Sequence, residues 1–192
     1  MGRLRRVVID PGHGGRDPGA VGRRNGEQIL EKDLNLDIAL YAADLLAARP
    51  DIHVEVTHEG NAAEWQEVFL EDRVDFSNRH SADIFVSVHC NAMAPGSSAH
   101  GFEVFHFRNS MSGHKLATAL FGAIARNIGE IAPRSVKGSG FYVLRHTAAP
   151  AALVECGFMT SPNDLEMLVD KPFRNRYGTA IAQGILDYFG LG

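Results

Sequence analysis

Ile84-Phe85-Val86-Ser87-Val88 is a strongly apolar run that stops at His89. Such a run, without regular polar alternation, reads as a strand buried on both faces. Two shorter runs end in a similar way. Val7-Val8-Ile9 is stopped by Asp10-Pro11-Gly12 and leads to His13, and Ala152-Leu153-Val154 leads to Glu155. In open α/β sheets, ligands bind outside the carboxyl ends of the strands. If the three strands are parallel neighbours, His13, His89 and Glu155 converge at one edge of the sheet. Two imidazoles and a carboxylate are the side-chain types of a catalytic zinc site.

The segments around these strands supply helices. From Leu30 the apolar positions Leu34, Ile38, Tyr41 and Leu45 follow at spacings of three or four, one face of a helix that runs to Ala48 and is ended by Pro50. Further helices are expected over Trp65–Arg79, over Ser112–Asn127 with Ser112 as cap, after Ser161-Pro162, and over Phe173–Phe189. Strands are expected at Ile52–Thr57, Phe102–Phe107 and Tyr142–Leu144. The Gly- and Pro-rich stretch Pro11–Gly26 and the segment Ala94–Ser98 read as loops. Alternating strands and helices predict an α/β fold: a mostly parallel twisted sheet of about six strands flanked by helices on both faces. At 192 residues, against about 150 per domain, one domain spanning 1–192 is expected.

Composition narrows the function. Lys and Arg total 19 and Asp and Glu total 23, a net charge of −4, the opposite of the balance a nucleic-acid binder shows. No run of 18 apolar residues is present to span a membrane, and no apolar stretch near the start serves as a secretory signal. Met1-Gly2 lacks the Ser or Thr that myristoylation wants at position 6, which is Arg6. Cys90 and Cys156 directly follow His89 and Glu155 and, by strand alternation, face the core as buried thiols.

A fourth site member is expected from the region after the first strand. Glu27 and Glu31 are the candidates, and Glu31, beside the core-facing stripe of its helix, is better placed to point inward. A lone histidine is more often a surface or core residue than a ligand. His13 stands out because glycines flank it, His89 because a buried strand has little reason to end in imidazole, and Glu155 because a carboxylate closing a buried run is costly unless paired or on a metal. His53, His58, His80, His100, His106, His114 and His146 read as solvated or structural. Asp10 and Asn91 lie beside the candidate ligands as positioning residues or as turn and strand-end caps. Arg73 on the second helix is read as a buttress of the site or a solvated helix charge, the second being favoured. Gly12-His13-Gly14-Gly15 lacks the full spacing of a phosphate loop, and no Gly-x-Ser-x-Gly elbow is present.

These residues carry a family resemblance. Val8-Ile9-Asp10-Pro11-Gly12-His13-Gly14-Gly15, Glu31-Lys32-Asp33, Ala82–Ala92 around Ser87-Val88-His89-Cys90-Asn91, and Val143-Leu144-Arg145 leading to Leu153-Val154-Glu155-Cys156-Gly157-Phe158 resemble, in order, the motifs of the type-3 amidases. These are zinc-dependent N-acetylmuramoyl-L-alanine amidases of bacteria and phages. The resemblance implies that His13, Glu31 and His89 bind zinc and that Glu155 is the catalytic carboxylate, and it settles Glu31 over Glu27. It implies a metal-activated water attacking the amide between N-acetylmuramic acid and L-alanine in peptidoglycan, with Glu155 moving the proton. The partner expected is peptidoglycan, with no nucleic acid and no membrane span, at the cell wall, for a monomer. The short span from His89 to Glu155 implies no autoinhibitory helix, and the end at Gly192 implies no separate wall-binding domain. The competing readings are a zinc peptidase or deacetylase acting on another amide of the polymer, and a non-catalytic wall-binding module.

Overall fold

The structure is a computed structural model that describes residues 3–60, 69–94 and 96–192. Its centre is a six-stranded sheet in the order β4-β1-β5-β8-β6-β7. The strands are β1 (Arg5–Pro11), β4 (Ile52–Val56), β5 (Ile84–Asn91), β6 (Phe102–Phe107), β7 (Pro133–Ser139) and β8 (Ala151–Phe158). β1 pairs in parallel with β4 and β5, β5 pairs in parallel with β8, and β6 pairs in parallel with β7; only the β6–β8 pairing is antiparallel. The three strands that carry the candidate ligands are therefore adjacent and parallel, the condition for His13, His89 and Glu155 to meet.

Strand alternation divides the side chains between two faces. On one face Val7, Ile9, Ile84, Val86, Val88, Val104, Ala152 and Val154 pack under α1 (Glu31–Ala47), α3 (Met111–Asn127) and α6 (Lys171–Phe189). On the other, Val8, Phe85, Ala151 and Leu153 form a smaller cluster with Val74 of α2 (Leu70–Arg79) and Val143 and Leu144 of α4 (Tyr142–His146). The second face is only partly covered, so a cleft remains at the carboxyl ends of β1, β5 and β8. α5 (Pro162–Leu168) opens on Ser161, whose side chain accepts from Asp164 N, as the Ser-Pro signal predicts. No helix among the described residues is long and apolar enough to cross a membrane.

Several local expectations are corrected. The stretch read as one loop to Gly26 contains β2 (Val21–Arg24), which pairs with β3 (Glu27–Leu30) in an antiparallel hairpin. Its turn is Asn25-Gly26, with φ of 52° and 85°, the left-handed pair that a two-residue hairpin needs. Tyr142–Leu144 is not a strand but opens α4, which buries Val143 and Leu144 together and leaves Arg145 and His146 exposed. The strand at this edge is β7, which begins with a proline and carries charge, as edge strands tolerate. The cap of α3 is Ser110, which accepts from Gly113 N at 3.0 Å; Ser112 lies inside the helix. α2 is described from Leu70 onward, and the positions 65–68 expected in it lie outside the described residues. In α1 the buried face runs through Leu34, Ile38, Ala42 and Leu46, and Leu45, expected in the stripe, is 39% exposed. Ala39, Ala42 and Ala43 are also buried in α1, which packs against α6 as well as the sheet.

Candidate metal centre

Asp10-Pro11-Gly12-His13 leaves the end of β1 in a sharp turn, and His13 adopts φ of 63°. For a residue with a side chain that conformation is strained by about 1–3 kcal/mol and persists only when its surroundings fix it. Arg73 fixes it. From α2 its Nη1 donates to Asp10 Oδ1 and to Pro11 O, both at 2.6 Å, and its Nη2 donates to His13 O at 2.5 Å. Arg73 is 3% exposed and Asp10 is 1% exposed. Thr57 and Ser87 also donate to Asp10, each at 2.7 Å. Arg73 is thus a buried buttress of the loop and not the solvated charge its sequence suggests, because α2 turns Arg73, Val74 and Ser77 together towards the sheet. Asp10 is correspondingly a positioning residue, whereas Asn91 serves the strand end, with its Oδ1 accepting from Ala92 N at 2.8 Å.

Glycine at position 12 is a steric requirement. A Cβ there would stand 2.2 Å from the His89 ring. The absent side chain lets His89, from the end of β5, lie against the loop, with its ring centroid 4.9 Å from that of His13.

Glu31 is delivered from the other side by the β2–β3 hairpin, which runs directly into α1. It is the first residue of that helix, where a carboxylate is favoured by the unpaired amides. Its Oε2 accepts from Ala20 N at 2.8 Å and lies 3.2 Å from His13 Nε2; its Oε1 accepts from Asn35 Nδ2 and Cys90 N and lies 3.1 Å from His89 Nδ1. One ligand atom from each of His13, Glu31 and His89 lies within 4.8 Å of the others. Ligands at zinc distances around one tetrahedral ion stand about 3.3 Å apart; Glu31 meets His13 through Oε2 and His89 through Oε1 at similar separations, so the two histidines flank one carboxylate. His13 Nδ1 lies 2.8 Å from Asp17 Oδ2, the carboxylate–histidine arrangement that directs the other ring nitrogen to a metal. The donor set, its spacing and this support fit a divalent metal ion.

The electrostatics of the metal-free site agree. Burial lowers the basicity of His13, but Glu31 and Asp17 outweigh it and bring its pKa up to about 9. Burial raises that of Glu31, and hydrogen bonds from His13 and His89 overcome this and hold the carboxyl well below the usual range. The site thus holds proton and negative charge where a cation would replace the proton.

Glu155 on β8 is the direct cross-strand partner of His89. Burial, reinforced by the charges of Glu31 and Glu103 and opposed by His13, pushes its pKa up to about 8. Its Oε2 is buried with no hydrogen-bond partner among the described residues. A cleft of about 510 Å³ opens over these groups. Phe69, Leu70, Phe141 and Tyr142 line it and are all at least 36% exposed, a wall that no sequence pattern had singled out.

The remaining candidates fall away from the centre. Glu27 is exposed on β3. Cys90 and Cys156 are free thiols buried on the helix-covered side, as strand alternation predicts. His58 is a structural support, with Nε2 2.9 Å from Pro11 O, and His146 is exposed and stacks on Tyr142.

Comparison with known proteins gives a consistent result. The Amidase_3 family, described as N-acetylmuramoyl-L-alanine amidase, matches residues 7–187. A solved N-acetylmuramoyl-L-alanine amidase from Clostridium difficile 630 is 34% identical, with 98% of each chain covered and a TM-score of 0.90. N-acetylmuramoyl-L-alanine amidase AmiC2 of Nostoc punctiforme is 37% identical, with 97% of each chain covered and a TM-score of 0.87. The germination-specific N-acetylmuramoyl-L-alanine amidase of Bacillus subtilis (strain 168) is 29% identical over 193 residues, 95% of this chain and 79% of its own length. The chain belongs to the Amidase_3 family of N-acetylmuramoyl-L-alanine amidases.

Proposed function

We propose that this chain is a zinc hydrolase that cuts the amide between N-acetylmuramic acid and L-alanine in peptidoglycan, with His13, Glu31 and His89 as metal ligands and Glu155 as acid and base. The observation that carries the reading is the juxtaposition of three metal-ligating side chains with a buried, unpartnered carboxylate in an open cleft. Zinc, when bound, supplies Lewis acidity that polarises the scissile carbonyl and lowers the pKa of water to about 7. Glu155 takes the proton of the attacking water on its Oε atoms and returns it to the departing nitrogen. A divalent cation nearby favours the carboxylate over the acid and so opposes the burial that raises its pKa, which suits a group that both accepts and donates the proton. Asp17 holds the proton on His13 Nδ1, and Arg73 and Asp10 hold the loop that aims Nε2.

The chain works at the cell wall, as a monomer with a constitutively open site. Mass spectrometry of fragments released from purified sacculi tests the activity. Free stems beginning with L-alanine, lost on chelation and restored by zinc, are expected. Cleavage within the stem would show a peptidase, release of acetate a deacetylase, and adsorption to sacculi without release a binding module.

A further inference from the structure

We propose that Lys137, supported by Arg134, binds a free carboxylate of the stem peptide on the leaving-group side of the scissile amide. The inference rests on the proton-delivering role proposed for Glu155. A group that protonates the departing nitrogen lies on the amine side of the bond. The peptide therefore leaves the centre across β8 and runs over β6 and β7, and the sugar lies on the side of His13 and α2.

The β6 and β7 strands carry charge where that path crosses them. Glu103 of β6 is the direct cross-strand partner of Glu155. It is 3% exposed and is bound by Arg134 and, at 2.8 Å, by Lys137 Nζ. One carboxylate between two cations leaves net positive charge at this edge. Lys137 keeps 42% of its side chain exposed, and its Nζ lies 5.8 Å from the centroid of the Phe105 ring. Among the described residues Glu103 is the only hydrogen-bond partner of Nζ, and an ammonium has three donors. Donors therefore remain for a ligand.

The spacing suits one carboxylate in particular. Neighbouring strands lie about 4.8 Å apart, so an ammonium resting on Glu103 stands one to two strand widths from Glu155. An extended peptide advances about 3.5 Å per residue, which places the α-carboxyl group that ends the residue after L-alanine about 7 Å from the scissile nitrogen. In peptidoglycan that residue is joined onward through its side chain, and its α-carboxyl group is free or amidated. Lys137 distinguishes the two, since a charge-assisted contact is lost on amidation.

The test compares peptide release from two sacculus preparations, one with the α-carboxylate and one with the α-carboxamide at the second stem residue. Wild-type protein is expected to favour the carboxylate by roughly five-fold in kcat/KM, the size of a partly exposed ion pair. Lys137→Gln abolishes the preference by slowing the carboxylate substrate more than the carboxamide, with the zinc content unchanged. Lys137→Arg restores it. A purely structural role at Glu103 would slow both substrates alike. A preference that survives Lys137→Gln, or a wild-type protein that releases both stems equally fast, overturns the proposal while leaving the amidase reading intact. Failure to release stems from either preparation contradicts the amidase reading and this inference with it.

Discussion

Replacing Arg73 with methionine tests whether the loop that carries His13 is held from outside the metal centre. The substitution keeps an unbranched apolar stem and removes donors to Asp10, Pro11 O and His13 O. It also leaves Asp10, 1% exposed, as an uncompensated buried charge. Breaking a buried pair on one side costs about 3–5 kcal/mol. At roughly 2–4 °C per kcal/mol for a chain of this size, the metal-free protein should melt about 10 °C lower. Zinc affinity should fall a further 10–100-fold, the cost of removing a group that orients a ligand, because the strained His13 backbone then loses the donor to its carbonyl. Thermal melts in chelator and a competitive zinc titration measure the two effects separately. Asp10→Asn in the same background should recover more than half of the lost stability, since neither charge is then buried alone. A Tm within 2 °C of wild type together with unchanged zinc affinity would refute the buttress.

Other expectations follow from the same groups. Glu155→Gln should retain zinc and fold while losing about 10²–10⁴ in kcat, read by stem release and metal content. In metal-free protein the folded pKa of Glu155, about 8, lies above its unfolded value of 4.5, so the group stays protonated only in the folded state and costs stability as pH rises between those values. The Gln variant escapes that loss, and its advantage in urea unfolding with chelator should grow by roughly a few kcal/mol from pH 5 to pH 8; a constant difference would show that Glu155 is not desolvated. His13, at about 9 in the metal-free site, must lose its proton to bind metal. Zinc binding at pH 7 should therefore release about one proton, measured by calorimetry in buffers of different ionisation enthalpy, and no buffer dependence would contradict it. His13→Ala should bring zinc stoichiometry close to zero, and a value near one would remove His13 from the ligand set.

What was legible in the sequence had a local cause. β1, β5 and β8 are buried on both faces, so their apolar runs are unbroken and their polar ends conspicuous. His13, His89 and Glu155 could be read because each closes such a run, and Glu31 because it starts a helix with a periodic face. The features that escaped depend on neighbours distant in the chain. Arg73 is an ordinary helix cation until α2 packs against β1, 63 residues away in sequence from Asp10. β7 is a polar edge strand whose pairing comes from β6. Tyr142–Leu144 is too short for its period to separate strand from helix, and its helical state follows from burying Val143 and Leu144 together. Asn25-Gly26 did carry a local signal for the hairpin, masked by the surrounding glycines.

The central claim is that His13, Glu31 and His89 share one metal ion. Anomalous diffraction at the zinc edge from zinc-loaded crystals tests it most directly. The account predicts one peak about 2.0–2.2 Å from His13 Nε2, a Glu31 carboxylate oxygen and His89 Nδ1. A peak elsewhere, or none at full zinc loading, would contradict it.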